Sequence, residues 1–177
     1  MKPLKEKKCK IGGELFVPVR PFQPTCFKHA PEWLRKQQAK KWRKEGKVMK
    51  EKLKTHNDYV KELQVIFNIF IRERDKDKPC VSCGTPMTTR KGDASHYWSV
   101  GGNPGVRFDE TNCHLACVPC NQHKHGNLLE YSIRLPERIG TVLFNALNAR
   151  RTRTNPLTIP EIKDLKTHYR KLIKSLT

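Results

Sequence analysis

No stretch of this 177-residue chain approaches the roughly 20 consecutive apolar residues that a bilayer-spanning helix needs. The start, Met1-Lys2-Pro3-Leu4-Lys5, is charged, and no hydrophobic signal segment follows it. The expectation is therefore a cytoplasmic protein with no membrane partner. Acidic side chains are scarce: 17 Asp and Glu face 36 Lys and Arg, for a formal net charge of +19. An excess of that size points to a polyanionic partner, DNA or RNA before an acidic membrane. A ribosomal or merely soluble basic protein is the plainer account of charge taken alone. Apolar residues make up only 36% of the chain, so a small core helped by a metal is expected rather than one large core. Internal repeats, low-complexity tracts and thioredoxin-like βαβ patterns are absent. In a reducing compartment, seven cysteines then mean metal before disulfides.

Four regions follow from composition and periodicity. Residues 1–30 read as an irregular arm, with Gly12-Gly13 and prolines at 3, 18, 21 and 24. They carry Cys9, Cys26 and His29, one ligand short of a zinc set. Glu14 could supply the fourth, but the expectation is a degenerate zinc ribbon or an arm without metal. Residues 31–57 read as a basic helical arm. Pro31 suits its first turn, Leu34, Trp42, Met49 and Leu53 recur at helical spacing, and lysines and arginines fill the other faces. Lys40, Lys41, Arg43 and Lys44 there are candidate phosphate contacts.

Residues 58–130 hold the core. A helix over 58–74, capped by Asn57 or Asp58, places Tyr59, Val60, Leu63, Ile66, Phe67, Phe70 and Ile71 on a wide apolar face. Residues 131–177 read as C-terminal helices: a short one over 136–149, and a last one opened by Thr158 and Glu161 at capping-box spacing.

The chemistry lies in the core. Cys80-Val81-Ser82-Cys83 and Cys117-Val118-Pro119-Cys120 are two CxxC knuckles, the ligand set of a closed, structural tetrahedral zinc site. The 33 residues between them are pinned at both ends. Within that span, Gly92-Asp93-Ala94-Ser95-His96 suits a strand, Gly101-Gly102-Asn103-Pro104-Gly105 a hairpin loop, and Cys117 to Asn121 the opening of a helix. Cys113 falls outside the tetrad and reads as a buried thiol. His114, close to Cys117, reads as a group that orients a zinc thiolate.

The order histidine, glycine-bearing loop, asparagine, CxxC and asparagine resembles the HNH endonuclease motif. The segments Phe70-Ile71-Arg72-Glu73-Arg74-Asp75, Pro79 to Thr85, Asp93-Ala94-x-His96-Tyr97, Arg107-Phe108 and His114 to Leu128 resemble the phage recombination endonuclease family NinG, also called Rap. The likeness runs from about residue 65 to the C-terminus. It implies a structure-specific endonuclease acting on branched intermediates such as Holliday junctions and displacement loops. It also implies roles. His96 would be the general base that deprotonates water, since its ordinary pKa lies near working pH. Asn121 would be a ligand for catalytic Mg²⁺ or Mn²⁺, and Asn112 would orient the hairpin loop. His123 and His125 lie near the same helix start, and Arg107 and Lys124 are candidate DNA contacts. One position departs from the pattern: many HNH enzymes carry an aspartate directly before the base, where this chain has Ser95. Asp93, or else His114 or His123, would have to replace it.

The expected protein is α+β and mostly helical, a ββα-metal (HNH, or His-Me finger) core with a four-cysteine zinc site, flanked by helices. The expected activity is metal-dependent cleavage of branched DNA, in the host cytoplasm if the chain is phage-encoded. A homodimer suits resolution of a four-way junction, which needs two active sites. Two other classes compete. A non-catalytic zinc module that binds branched DNA is favoured by Ser95. An RNA-binding or ribosome-associated zinc protein rests on charge alone.

Overall fold

The computed structural model describes residues 4–87, 92–152 and 156–177. The chain divides into two compact units, Met1–Lys54 and Thr55–Thr177. It is mostly helical, with two small antiparallel sheets.

In the first unit, β1 (Lys7–Lys8) pairs with β2 (Leu15–Phe16) across a tight turn. One 3₁₀ turn, Phe27–His29, then leads into α1 (Ala30–Lys52), with Pro31 in its first turn as expected. Helix α1 has no buried residue. The apolar positions Leu34, Trp42 and Met49 along it, and Leu53 at its end, are all exposed.

In the second unit, α2 (His56–Arg74) is capped by Thr55, not by Asn57 or Asp58. Asp58 is the third residue of a capping box, its Oδ2 accepting from Thr55 N at 2.9 Å. The apolar face of α2 packs against α5 (Ile159–Leu176) through Leu63, Phe67, Phe70, Ile162 and Tyr169. Helix α5 carries the expected capping box: Glu161 Oε2 accepts from Thr158 N at 2.7 Å.

Helix α2 also lies on the hairpin of β3 (Gly92–His96) and β4 (Cys113–Cys117). The register runs from Gly92 opposite Cys117 to His96 opposite Cys113. Every residue of β4 is buried. A second apolar cluster, with Val81, Leu115, Ala116, Tyr131, Leu135 and Leu147, supports the cysteine knuckles.

Two local expectations are corrected. The chain around Cys120 forms a single wide turn, Pro119–His123, in place of a full helix. His125, Gly126 and Asn127 then adopt positive φ (49°, 90° and 50°), which takes His125 off any helical face shared with Asn121. The short helix expected over 136–149 is two helices, α3 (Leu128–Ile139) and α4 (Thr141–Arg150). They meet at Gly140, whose φ of +83° no helix continues through.

Candidate metal centre and its hairpin

The first knuckle is closed by Cys80 N donating to Thr85 O at 2.9 Å and by Gly84 N donating to Cys80 O at 2.9 Å. Gly84 sits at φ +72°, where a Cβ would also meet the Arg134 guanidinium at 2.9 Å, so only glycine suits the turn. The second knuckle follows β4 directly. Its Cys117 N donates to Cys80 Sγ at 3.3 Å, and Asn127 Nδ2 reaches Cys120 Sγ at 3.7 Å. All four sulfurs lie within 4.8 Å of one another. The Cys83–Cys117 separation is 3.8 Å. A tetrahedron with metal–sulfur bonds of about 2.3 Å has edges of about 3.8 Å, the separation of Cys83 and Cys117, so the set could hold a structural metal ion. Burial raises the Cys117 and Cys120 thiols, whereas at Cys83 the Thr85 hydroxyl and amide outweigh burial and lower the thiol.

The far end of the hairpin is held by an asparagine. Asn112 is fully buried. Its Oδ1 accepts from Trp98 N at 2.8 Å, and its Nδ2 donates to Trp98 O at 3.1 Å and Val106 O at 2.9 Å. These bonds brace the loop between β3 and β4. That loop presents the Arg107 carbonyl 2.9 Å from His96 Nε2. A carbonyl only accepts, so Nε2 carries the proton and Nδ1 holds the lone pair. Nδ1 lies 3.7 Å from Cys113 Sγ. Burial disfavours the imidazolium and holds His96 below its ordinary pKa. Cys113 is the buried thiol the sequence suggested, its own pKa pushed up by burial.

Asp93 lies on the other face of β3, since side chains alternate along a strand. Its Oδ2 accepts from Asn121 Nδ2 at 3.2 Å and from Gln122 Nε2 at 2.8 Å. The hairpin thus gathers the expected residues into two groups, His96 with the Asn112-braced loop and Asp93 with Asn121. No hydrogen bond joins the two groups among the described residues. His123 and Lys124 are exposed. Ser95 is buried, and its carbonyl accepts from Tyr131 OH at 3.0 Å. Arg107 donates from Nε to Gln64 Oε1 at 2.8 Å. It lines a groove of about 400 Å³ with Phe108, Arg150 and Leu157. Lys40, Lys41, Arg43 and Lys44 are exposed on α1 in the first unit.

His114 does not orient a thiolate. Its Nδ1 lies 3.4 Å from Asp75 Oδ2, and its Nε2 lies 3.2 Å from Thr111 O. Asp75 is a residue that sequence reasoning missed. It is fully buried and accepts from Arg74 (2.8 and 2.9 Å), Lys78 (3.0 Å) and the Leu115 amide (3.2 Å). Burial opposes its charge, but His114 and Arg74 hold it ionised, well below the usual carboxylate range. This node ties the end of α2 to β4.

The chain's relatives agree with one another. A family model described as Bacteriophage Lambda NinG protein matches residues 1–177. Protein ninG of Salmonella phage P22 is 43% identical over 130 residues, 73% of this chain and 63% of that protein. Protein ninG of Escherichia phage lambda is 42% identical with the same coverage. Protein ninG of Escherichia phage 933W is 36% identical over 189 aligned positions, 96% of this chain and 93% of that protein. The match therefore spans less than two thirds of the P22 and lambda proteins but nearly all of the 933W protein. No solved structure matches the chain. Among the described residues, no helix is long and apolar enough to cross a membrane. A model match over the whole chain and identities of 36–43% have one meaning: the chain belongs to the NinG family.

Proposed function

We propose that the protein is a metal-dependent, structure-specific DNA endonuclease acting on branched recombination intermediates, built on an HNH-like hairpin stapled by zinc. The observation that carries this reading is the bond from His96 Nε2 to the Arg107 carbonyl, in a loop braced by Asn112. It leaves a neutral imidazole whose lone pair sits on Nδ1, 3.7 Å from the Cys113 thiol; turned from that thiol to a water, Nδ1 would accept a proton, the chemistry of a general base. The net charge of +19 supplies the attraction to a polyanion. Zinc is the metal that four thiolates at this spacing suit best.

Asp93 and Asn121 would hold the catalytic Mg²⁺ or Mn²⁺, with the exposed His123, two residues after Asn121, as a further candidate ligand. Hard oxygen ligands suit either ion. The amide orientation of Asn121 follows from its hydrogen bonding. A cation between the two side chains would turn Oδ1 toward Asp93, where Nδ2 now lies. Such an ion would polarise the scissile phosphate and stabilise the leaving 3′ oxygen, giving 5′-phosphate and 3′-hydroxyl ends. Arg107 and Lys124, and Lys40, Lys41, Arg43 and Lys44 on α1, would contact backbone phosphates.

A second reading has its own support. Ser95 occupies the position where many HNH enzymes carry a metal-binding aspartate, and it is buried. With Asp93 and His96 on opposite faces of β3, this favours a zinc module that binds branched DNA without cutting it. Cleavage of an end-labelled four-way junction separates the two, with linear duplex as control, in Mg²⁺, Mn²⁺ and EDTA. The nuclease reading expects metal-dependent cutting that is lost in His96→Ala while junction binding persists. Tight binding with no cutting in any metal would leave the binding module standing.

A further inference from the structure

The first unit has almost nothing to hold it together. Among its described residues only Cys9, Pro18 and Thr25 are buried, and neither apolar cluster of the protein includes any of them. A hairpin of two-residue strands is not stable alone. A unit this small without an apolar core needs a staple.

Four side chains converge where a staple would sit. Cys9 and Glu14 flank the hairpin turn, which is closed by Cys9 N donating to Glu14 O at 2.8 Å and Gly13 N donating to Cys9 O at 2.9 Å. Cys26 and His29 come from the 3₁₀ turn before α1, closed by His29 N donating to Cys26 O at 3.2 Å. Their ligand atoms all lie within 4.8 Å of one another. His29 Nδ1 is the hub: Glu14 Oε1 lies 2.9 Å away, Cys26 Sγ 3.2 Å and Cys9 Sγ 3.7 Å. One ring nitrogen carries at most one proton, so it cannot serve three partners by hydrogen bonding. A single cation among the four atoms serves all of them. A tetrahedral zinc site with Cys, His and carboxylate ligands has edges of about 3.4–3.8 Å. The contacts here are within about half an ångström of that, so binding requires only a slight parting of the side chains.

We infer that Cys9, Glu14, Cys26 and His29 form a second zinc site, independent of the four-cysteine cluster. It fastens the β1–β2 hairpin to the N-terminus of α1. This goes beyond the expectation of an arm without metal or a degenerate ribbon, because the fold brings Glu14 into the position of the missing ligand. It does not rest on the nuclease reading, since the zinc would be structural whatever the second unit does. The donor set, two thiolates, an imidazole and a carboxylate, is closed and leaves no position for substrate.

The test is metal stoichiometry of the full-length protein, purified without chelator and measured by elemental analysis. Two zinc ions per chain are expected, falling to one in Cys26→Ser and in His29→Ala. A single zinc in the wild type, or two retained in both variants, would overturn the inference. Cobalt substitution of the wild type reads the site without mutation. Thiolate-to-cobalt absorption should correspond to six bound thiolates, four from one cluster and two from the other. Absorption for only four would also overturn it. Neither readout depends on cleavage of DNA, so failure here and failure of the nuclease reading are distinguishable.

Discussion

Replacing Asn112 tests the link between the fold and the candidate base. The side chain is fully buried and makes three hydrogen bonds, all to backbone groups of the loop between β3 and β4. In Asn112→Ala, the Trp98 amide and carbonyl lose their partner, whereas Val106 O keeps the Asp109 amide at 3.2 Å. Two orphaned backbone groups cost about 1–3 kcal/mol each, and the small cavity adds to that. The expected loss is about 3–5 kcal/mol, a fall in Tm on the order of 10 °C for a unit of this size. Asn112→Asp keeps the acceptor for Trp98 N but turns a second carboxylate oxygen toward two carbonyls. That geometry disfavours the ionised form and raises the folded pKa above the unfolded value of about 3.9. The penalty is therefore largest at alkaline pH and shrinks as pH falls through the folded pKa, where the acid can donate one O–H. Denaturant unfolding of the zinc-loaded protein at pH 8 and pH 6 measures both effects. Asn112→Ala should be equally destabilised at the two pH values, and Asn112→Asp should recover part of its loss at pH 6. An Asn112→Ala cost below about 1 kcal/mol, or an Asn112→Asp as stable as wild type at pH 8, would refute the bonding described for this loop.

Two further outcomes follow from the candidate base and from the basic face of α1. His96 is held below its ordinary pKa by burial, and the neutral ring is the active form of a general base. Cleavage should therefore be level above about pH 7 and decline only as pH falls below about 6.5, the ordinary histidine value, with stability falling over the same range; a pH–rate profile whose acid limb is centred above pH 7 would remove His96 from that role. Neutralising Lys40, Lys41, Arg43 and Lys44 together should weaken junction binding and reduce the slope of log K against log salt by up to about 3–4, at about 0.9 per lost phosphate contact. Thermal stability should not change, because α1 buries nothing; an unchanged slope would show that α1 does not touch the phosphates.

What the sequence made legible was local. The two CxxC knuckles announce a metal cluster because each pair of sulfurs comes from one tight turn, and the fold brings the pairs together as expected. The Thr158 and Glu161 capping box holds because both partners lie within one helical turn. The role of Asn112 as the brace of its loop was legible only through the family resemblance, and its bonds to Trp98 and Val106 match that role. What escaped depends on partners distant in the chain. Asp75 sits in the charged run Arg74-Asp75-Lys76-Asp77-Lys78, and the sequence assigns it no role beyond its place in the segment Phe70 to Asp75. It is buried, and it accepts from the Leu115 amide, 40 residues away. His114 reads as a partner of the nearby Cys117 thiolate, yet alternation in β4 puts the two side chains on opposite faces and turns His114 toward Asp75. Glu14 reads in the sequence as a possible fourth ligand beside Cys9, Cys26 and His29, and what the sequence lacks is the hairpin that turns it toward Cys26 and His29.

The β3–β4 hairpin explains why a structural metal and a candidate base occur in one short segment. A two-stranded hairpin is marginal by itself. Its register matters here because a slip of one residue would move His96 to the face now held by Asp93. Each end is fixed by a different device. At the Gly92–Cys117 end, Cys117 belongs to both β4 and the thiolate cluster, so a bound ion fixes the strand where it leaves the sheet. At the His96–Cys113 end, about 13 Å away over four residues, Asn112 fixes the loop and the loop fixes the imidazole. Between them, Asp75 accepts from Leu115 and anchors β4 to α2. The orientation of His96 is therefore set at three points along the two strands, and none of the three groups needs to touch a ligand. A metal held by the four-cysteine cluster would act on the candidate site only through register, which separates its role from that of any ion held by Asp93 and Asn121.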